Sequence, residues 1–538
     1  MHRSRFRTVM AAGTAAGAML LGSLGAAPAP TPTPASAPTP TPVTTPAPGD
    51  PLARFHTQRV RWGACPDRPA PAEMRCAVVE VPLDYAAPGK GTVEVALGRI
   101  PATEPDRRIG SLLVNFGGPG ASGIAGLAAD PTLLADLGER YDLVGFDPRG
   151  VGHSDPISCG GAQEAVADPN IDTAAWLAGL RNVVKRCELA SGPVLAHMGT
   201  VDVARDMDVL RRLLGDEKLN FLGFSYGARL GAVYAALFPE ATGRMVLDGV
   251  DTLTEPMTEQ ALVSARGQQR ALDNFLTWCA HQSDCVYGTN TRTAREKVAA
   301  LVERLDKKPL VARDGVNLNG TVAVLAIGQA LYSPLLWPVL AKSLALAERE
   351  HDPAGLLALV GVGAPTDPAV PTDPPGAPDP AHDGAFDAVP ADNLNAALIA
   401  VTCADDPDRS IDKAGLAALD KEIVELWEEF LKASKIFGPG QLGTLLSCYG
   451  WPAGTDFIRK IDHPGAPPML LVGTRGDPAT PYEWTEETAE RLGSAVIVDY
   501  KGEGHTGYGS SRCVGEYVNG FLLDGRLPSG TRTCIAGD

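Results

Sequence analysis

Gly223-Phe224-Ser225-Tyr226-Gly227 holds a serine with a glycine two places to either side. In a chain with 59 glycines among 538 residues an accidental match is expected roughly 0.24 times, so the pattern alone carries little. Its surroundings carry more. Leu219-Asn220-Phe221-Leu222 reads as a buried strand and 226–238 as a helix, which puts Ser225 on a sharp strand-to-helix turn that presents a nucleophilic hydroxyl. Side chains at the two glycine positions would collide with neighbouring backbone there. A serine hydroxyl is a poor nucleophile at neutral pH. It needs an imidazole to take its proton and a carboxylate to orient that imidazole.

On this turn architecture the partners follow in the order serine, acid, histidine. Of nine histidines only His505 lies after the last strand end that bears an acid, in Lys501-Gly502-Glu503-Gly504-His505, where glycines let the loop turn back toward Ser225. The acid is expected to be Asp477, in Gly473-Thr474-Arg475-Gly476-Asp477-Pro478 just past the penultimate strand; Asp248 and Asp251, past an earlier strand, are the alternatives. The negative charge that develops on the attacked carbonyl oxygen needs N–H donors. Tyr226 supplies one. Gly118, in Asn115-Phe116-Gly117-Gly118-Pro119-Gly120, is the preferred second donor with Gly117 the close alternative, while Pro119 has no N–H to give. A phosphate-binding reading of this glycine loop fails for want of the following lysine.

These groups lie far apart in the chain, so a sheet must gather them. Ser111-Leu112-Leu113-Val114, Tyr141-Asp142-Leu143-Val144, Leu219-Asn220-Phe221-Leu222 and Arg244-Met245-Val246-Leu247 are short apolar runs separated by helix-length segments. Met469-Leu470-Leu471-Val472 and Ala495-Val496-Ile497-Val498 repeat the pattern near the C-terminus. Continuous rather than alternating apolarity is what burial on both faces of a parallel sheet produces. A β-type pair around Pro88-Gly89-Lys90-Gly91 precedes them as a hairpin. The expected core is therefore α/β, in two parts, 53–251 and 461–538. Between them 252–460 is mainly helical, with helices expected over 259–280, 293–307, 322–350 and 413–434, and a surface loop rich in Pro, Asp and Ala over 363–387.

Hydrophobic residues at 44% and charged residues at 21% exclude a wholly disordered chain or a coiled coil, and the net charge of −17 disfavours binding to a phosphate backbone. The basic start Arg3-Ser4-Arg5-Phe6-Arg7 and the weakly apolar run after it read as an export signal over 1–27, cleaved after Ala27 or as late as Ala37; an uncleaved anchor is the alternative. Residues 28–52 are a linker of Pro with Thr, Ala and Ser. No later stretch is long and apolar enough to span a bilayer, so no stable membrane insertion is expected after signal removal. Ten cysteines behind an export signal imply disulfides. The sequential pairs are Cys65-Cys76, Cys159-Cys187, Cys279-Cys285, Cys403-Cys448 and Cys513-Cys534, although order alone does not fix connectivity. There is no CxxC and no HExxH, so no metal is expected, and the chemistry requires no cofactor.

Phe116-Gly117-Gly118-Pro119-Gly120, Gly145-Phe146-Asp147-Pro148-Arg149-Gly150-Val151-Gly152-His153-Ser154, the serine turn, Gly473 to Pro481 with Asp477, and Gly504-His505 together resemble secreted actinobacterial tripeptidyl aminopeptidases, relatives of proline iminopeptidases in the α/β-hydrolase superfamily. The resemblance covers most of the chain past residue 60. It implies an α/β-hydrolase fold, a mostly parallel sheet flanked by helices, with the helical insertion as a cap before the acid-bearing strand. It further implies a secreted or cell-wall-associated serine exopeptidase that releases N-terminal tripeptides from peptides with a free N-terminus. Asp405, in Thr402-Cys403-Ala404-Asp405-Asp406, is then the candidate for pairing with the substrate ammonium. Thr480 resembles a position near the active site, and Asp147 and Arg149 look like scaffold residues. Proline iminopeptidases often have His where Asn115 stands, which argues against strict iminopeptidase activity. A carboxyl-ester hydrolase uses the same triad and is the alternative among enzymes. A non-catalytic binding protein on the same scaffold is the alternative of another class.

Overall fold

The computed structural model describes residues 50–66, 70–161, 173–252, 255–283, 285–361, 386, 388–406, 416–451, 461 and 465–537. The expected export signal, nearly all of the linker and nearly all of the 363–387 segment lie outside the described residues.

Leu112, Leu113 and Val114 are all inaccessible to solvent, yet Leu113 packs into one apolar cluster and its two neighbours into another. Leu471 against Leu470 and Val472 divides in the same way. Successive side chains of a strand point to opposite faces, so continuous apolar runs build two cores, one on each side of a single sheet. The strands are β1 (Arg75–Pro82), β2 (Thr92–Ile100), β3 (Gly110–Asn115), β4 (Tyr141–Phe146), β5 (Leu219–Phe224) and β6 (Thr242–Asp248). A small hairpin, β7 (Leu310–Val311) and β8 (Asn317–Leu318), intervenes before β9 (Leu470–Gly476), β10 (Val496–Glu503) and β11 (Arg532–Ile535). Among the described residues the main sheet has nine strands in the order β1-β2-β4-β3-β5-β6-β9-β10-β11. β2 runs antiparallel to both its neighbours, and every other adjacent pair is parallel.

The chain therefore belongs to the α/β class with a mostly parallel sheet. Parallel strands share one end for their C-termini, and loops at that end are where such sheets gather their chemistry. β5, β6, β9 and β10 are consecutive neighbours, so Ser225, Asp248, Asp477 and His505 all leave the sheet at the same edge.

Between β6 and β9 the described residues form the helices Met257–Cys279, Thr291–Lys307, Gly320–Leu331, Trp337–Arg349, Ala354–Leu359, Asn393–Ala404, Leu416–Ala433 and Gly438–Ser447. The first five enclose an apolar cluster of their own around Leu272, Phe275, Leu301, Ile327 and Leu340, while Asn393–Ala404 packs into one of the two clusters against the sheet. The helix expected over 322–350 is two helices, because Pro334 has no N–H to continue the first and starts a short 3-10 turn instead. The helix Thr173–Ser191 precedes this region in sequence but packs against it, with Trp176, Leu177 and Leu180 clustered with Phe430 and Leu442. The ten cysteines form Cys65–Cys76, Cys159–Cys187, Cys279–Cys285, Cys403–Cys448 and Cys513–Cys534, leaving none free. No described helix is long and apolar enough to cross a membrane.

Candidate active site

Ser225 caps β5 with φ 56° and ψ −123°, a backbone conformation rare for residues other than glycine. The turn is held by Ser225 N–H donating to Asp248 O at 2.8 Å and Ala228 N–H donating to Ser225 O at 2.8 Å. Its tightness explains the flanking glycines. A Cβ on Gly223 would lie 2.3 Å from Gly227 O, and one on Gly227 would lie 2.7 Å from Asn115 O. Strand and helix thus approach more closely than any side chain permits, and the serine is pushed outward from the sheet edge.

His505 sits on the loop after β10 with Nδ1 2.9 Å from both carboxylate oxygens of Asp477. The Asp477 carboxylate also accepts from Ala479 N–H and Thr480 N–H at 2.8 Å each, from the Thr480 hydroxyl at 3.0 Å and from Thr506 N–H at 3.2 Å. Four donors besides the imidazole fix a carboxylate that is otherwise buried, so it points where the ring needs it. Thr480 Oγ1 also lies 3.4 Å from His505 Nδ1, which makes it part of the same cluster; it caps no helix, since the helix Tyr482–Leu492 has Pro481 at its N-cap and no side-chain cap bond. Asp248 takes a different role. Its carboxylate accepts Gly507 N–H at 2.9 Å and Tyr508 N–H at 2.7 Å, and so clamps the histidine loop two residues beyond the ring. Burial pushes that carboxyl up to about 6 while the two N–H bonds pull the other way. Asp251 pairs with Arg229.

Ser225 Oγ donates no hydrogen bond to His505 in this structure. In serine hydrolases without substrate this contact is often long and tightens on binding. Both groups share their surroundings: Ser225, Thr480 and Tyr332 line one cavity, and Tyr332 packs on the His505 ring with centroids 4.9 Å apart.

Gly118 and Tyr226 line the same cavity. Gly117 N–H is occupied by Asn115 Oδ1 at 2.9 Å, whereas no hydrogen bond is made by Gly118 N–H among the described residues. Tyr226 is the first residue of its helix, so its N–H has no acceptor one turn earlier. Gly118 is thereby the better-placed donor of the two glycines. Asp147 and Arg149 stay in the scaffold: Asp147 accepts from Ser122, Ile124 N–H and His153 N–H, and Arg149 pairs with Asp206 at 2.6 Å in the core.

The cavity holds about 280 Å³ and is lined by Asp251, Glu255, Asp405 and Asp406, with Arg229 its one lining cation among the described residues. Asp405 accepts the N–H of Thr200 at 2.9 Å and its hydroxyl as well, and lies 3.7 Å from Arg229. The Thr200 hydroxyl in turn meets the Tyr226 hydroxyl at 2.7 Å, which ties Asp405 to the residue after the serine. Burial raises the Asp405 carboxyl above its ordinary value, with Arg229 and Thr200 opposing. Glu255, which no motif marks, keeps a buried Oε2 that makes no well-formed hydrogen bond, and burial followed by the charges of Glu487 and Glu259 raises its carboxyl, with the neighbouring Trp484 and Arg491 opposing. A roomier groove of about 1200 Å³ lies along the helix Arg512–Asp524, but neither Ser225 nor Asp477 lines it.

Burial lowers the His505 imidazole, but the Asp477 charge and hydrogen bond, helped by Asp248 and Asp251, outweigh it and hold the ring above its ordinary value of 6.5. A general base acts only when neutral, so a raised value moves the onset of activity to higher pH. The acid limb of kcat/KM is expected on the alkaline side of 6.5, read from a pH–rate profile on a substrate without ionising groups near the scissile bond. A limb at or below 6.5 would contradict the pairing with Asp477.

Comparison with known proteins bears on the family of the chain as a whole. A family described as "alpha/beta hydrolase fold" matches residues 110–338, and one described as "TAP-like protein" matches 434–534. The chain is 35% identical over 508 residues to serine protease Hip1 of Mycobacterium tuberculosis (strain ATCC 25618 / H37Rv), covering 89% of this chain and 91% of that one. It is 34% identical to carboxylesterase B of the same strain, covering 86% of each. It is also 31% identical to tripeptidyl aminopeptidase of Streptomyces lividans, covering 90% of this chain and 88% of the relative.

Proposed function

This chain belongs to the α/β-hydrolase family that includes the tripeptidyl aminopeptidases, and we propose that it is a secreted serine exopeptidase releasing short N-terminal fragments, tripeptides foremost, from peptides with a free N-terminus. Ser225 Oγ attacks the scissile carbonyl while His505 takes its proton, and Asp477 holds the imidazole in the tautomer that can do so. Gly118 and Tyr226 N–H groups receive the oxyanion. Collapse of the tetrahedral species breaks the C–N bond. His505 returns the proton to the leaving amine, and the peptide remainder departs. Water, deprotonated by the same imidazole, then frees the N-terminal fragment from Ser225.

The observation that carries the exopeptidase reading is the lining of the cavity: four carboxylates against one arginine beside the nucleophile. An acidic, partly enclosed hollow favours the ammonium of a free N-terminus over a neutral acyl chain. Asp405 and Glu255 are the proposed ammonium partners; Asp405 is already engaged by Thr200, which leaves Glu255 the less committed of the two. A volume of about 280 Å³ is at the small end of ligand sites and suits a short fragment rather than a continuous chain. The 252–460 insertion serves as the cap that closes this hollow, and the five disulfides suit an extracellular or cell-wall location reached through the 1–27 signal.

Mass spectrometry of the products from matched free and N-acetylated peptides tests this reading. Cleavage of the free peptides after the third residue, with a loss of at least about tenfold on acetylation, is expected for recognition of a charged amine. Equal cutting of both would reject amine recognition, and turnover of esters with no peptide cleavage would favour a carboxylesterase.

A further inference from the structure

The loop that carries His505 needs support that Asp477 alone does not give. Asp477 fixes the Nδ1 side of the ring, but a hydrogen bond at one ring atom leaves the imidazole free to swing about that contact. The backbone on either side is sharply turned, with Gly504 at φ 95° and Thr506 at φ 69°.

Three contacts reach this loop from a single place in the 252–460 insertion. His505 N–H donates to Tyr332 O at 2.8 Å. The Tyr332 ring meets the imidazole edge-to-face, with centroids 4.9 Å apart and planes at 72°. Gly504 is pressed so closely beneath that a Cβ on it would lie 2.8 Å from Tyr332 O and 2.9 Å from Pro334 Cδ. Tyr332 occupies this position because the helix Gly320–Leu331 ends there and Pro334 turns the chain away. Its ring also lines the cavity that holds Ser225.

We infer that Tyr332 is a positioning residue for His505, its ring barring rotation of the imidazole and its carbonyl anchoring the loop, so that the base is competent only while the insertion is seated on the sheet. The inference rests on the reading of His505 as general base. Tyr332 keeps 39% of its surface exposed, yet partial burial of the ring and then the Asp477 charge still push the phenol up, so it stays neutral at working pH and the aromatic ring rather than a phenolate makes the contact. Peptide entry that lifts the insertion would withdraw ring and carbonyl together and disarm the base until closure.

The test compares Tyr332→Ala with Tyr332→Phe, using steady-state kinetics on a free peptide and the rate at which a small fluorophosphonate labels Ser225. An edge-to-face aromatic contact is worth about a three- to tenfold change in rate. Tyr332→Ala should lose about that factor in kcat with KM little changed, slow labelling to the same extent, and keep its melting temperature; Tyr332→Phe should stay within about twofold of wild type. Wild-type labelling that His505→Ala abolishes reports the triad separately, and its absence would overturn both readings. With that labelling intact, the role of Tyr332 falls if Tyr332→Ala reacts within about twofold of wild type, if its loss lies only in KM, or if Tyr332→Phe loses as much as Ala.

Discussion

Replacing Ser225 with alanine should lower kcat on a peptide substrate by about 10⁴- to 10⁶-fold, with KM little altered and the fold intact. The size follows from what is removed. Without Oγ there is no acyl-enzyme, and only the N–H donors at Gly118 and Tyr226 and the binding surface remain to assist attack by water. The fold should survive because the groups that hold the turn are backbone groups: Ser225 N–H to Asp248 O and Ala228 N–H to Ser225 O both persist in the variant. Strain at φ 56° is already present in the wild type, and alanine adds none. Kinetics together with fluorophosphonate labelling and a thermal melt check all three parts. Labelling of wild type at Ser225 with none in the variant is the expected pair. A correctly oxidised wild type that resists the probe would instead favour a binding protein on a hydrolase scaffold.

How much of this could be read from the chain depends on how local each constraint is. The serine turn is largely local: Gly223 must clear the backbone of Gly227 four residues on, and a buried strand and a helix flank the turn, although Gly227 in its turn must clear Asn115 on the neighbouring strand. Asp477 and His505 were legible because chain order on such a sheet is restrictive and few residues satisfied it. Choosing between Asp477 and Asp248 was harder, since both follow buried strands and no pattern says which carboxylate meets a ring and which meets two backbone N–H groups. The preference for Gly118 over Gly117 has little behind it in sequence; the structure adds a reason, since the Asn115 side chain occupies the Gly117 N–H. Tyr332 was hidden inside an apparently continuous helix, and Pro334 was the signal that the helix must break. The link from Asp405 through Thr200 to Tyr226, and the docking of the helix Thr173–Ser191 on the insertion, join segments with no shared periodicity. β11 has four residues, too few to show a period.

The two acids at the sheet edge predict very different costs, and the difference decides which belongs to the triad. In Asp477→Asn the carboxamide oxygen can still accept Ala479 N–H and Thr480 N–H, so the turn after β9 should hold its shape, and the fold loses only the long bond from Thr506 N–H, which an amide nitrogen cannot accept. The amide nitrogen, however, presents a donor to His505 Nδ1, which must then carry the lone pair, and the ring proton moves to Nε2. An imidazole in that tautomer cannot take a proton from Ser225. A loss of about 10⁴-fold in kcat follows, with a melting temperature near wild type. Asp248→Asn instead weakens the clamp on Gly507 and Tyr508, because one carboxamide oxygen replaces two carboxylate oxygens. One hydrogen bond of about 1 kcal/mol, felt by the imidazole only through its loop, gives a loss of about tenfold or less. Relieving a buried charge further offsets the lost bond above pH 6, where the wild-type carboxyl is ionised at a cost. Parallel kcat measurements on the two variants, with folding checked by circular dichroism, should therefore separate by about a thousandfold. Were Asp248→Asn the more damaging with its fold intact, the carboxylate that orients the base would have to be the one at the end of β6, and the contacts gathered around Asp477 would be scaffold.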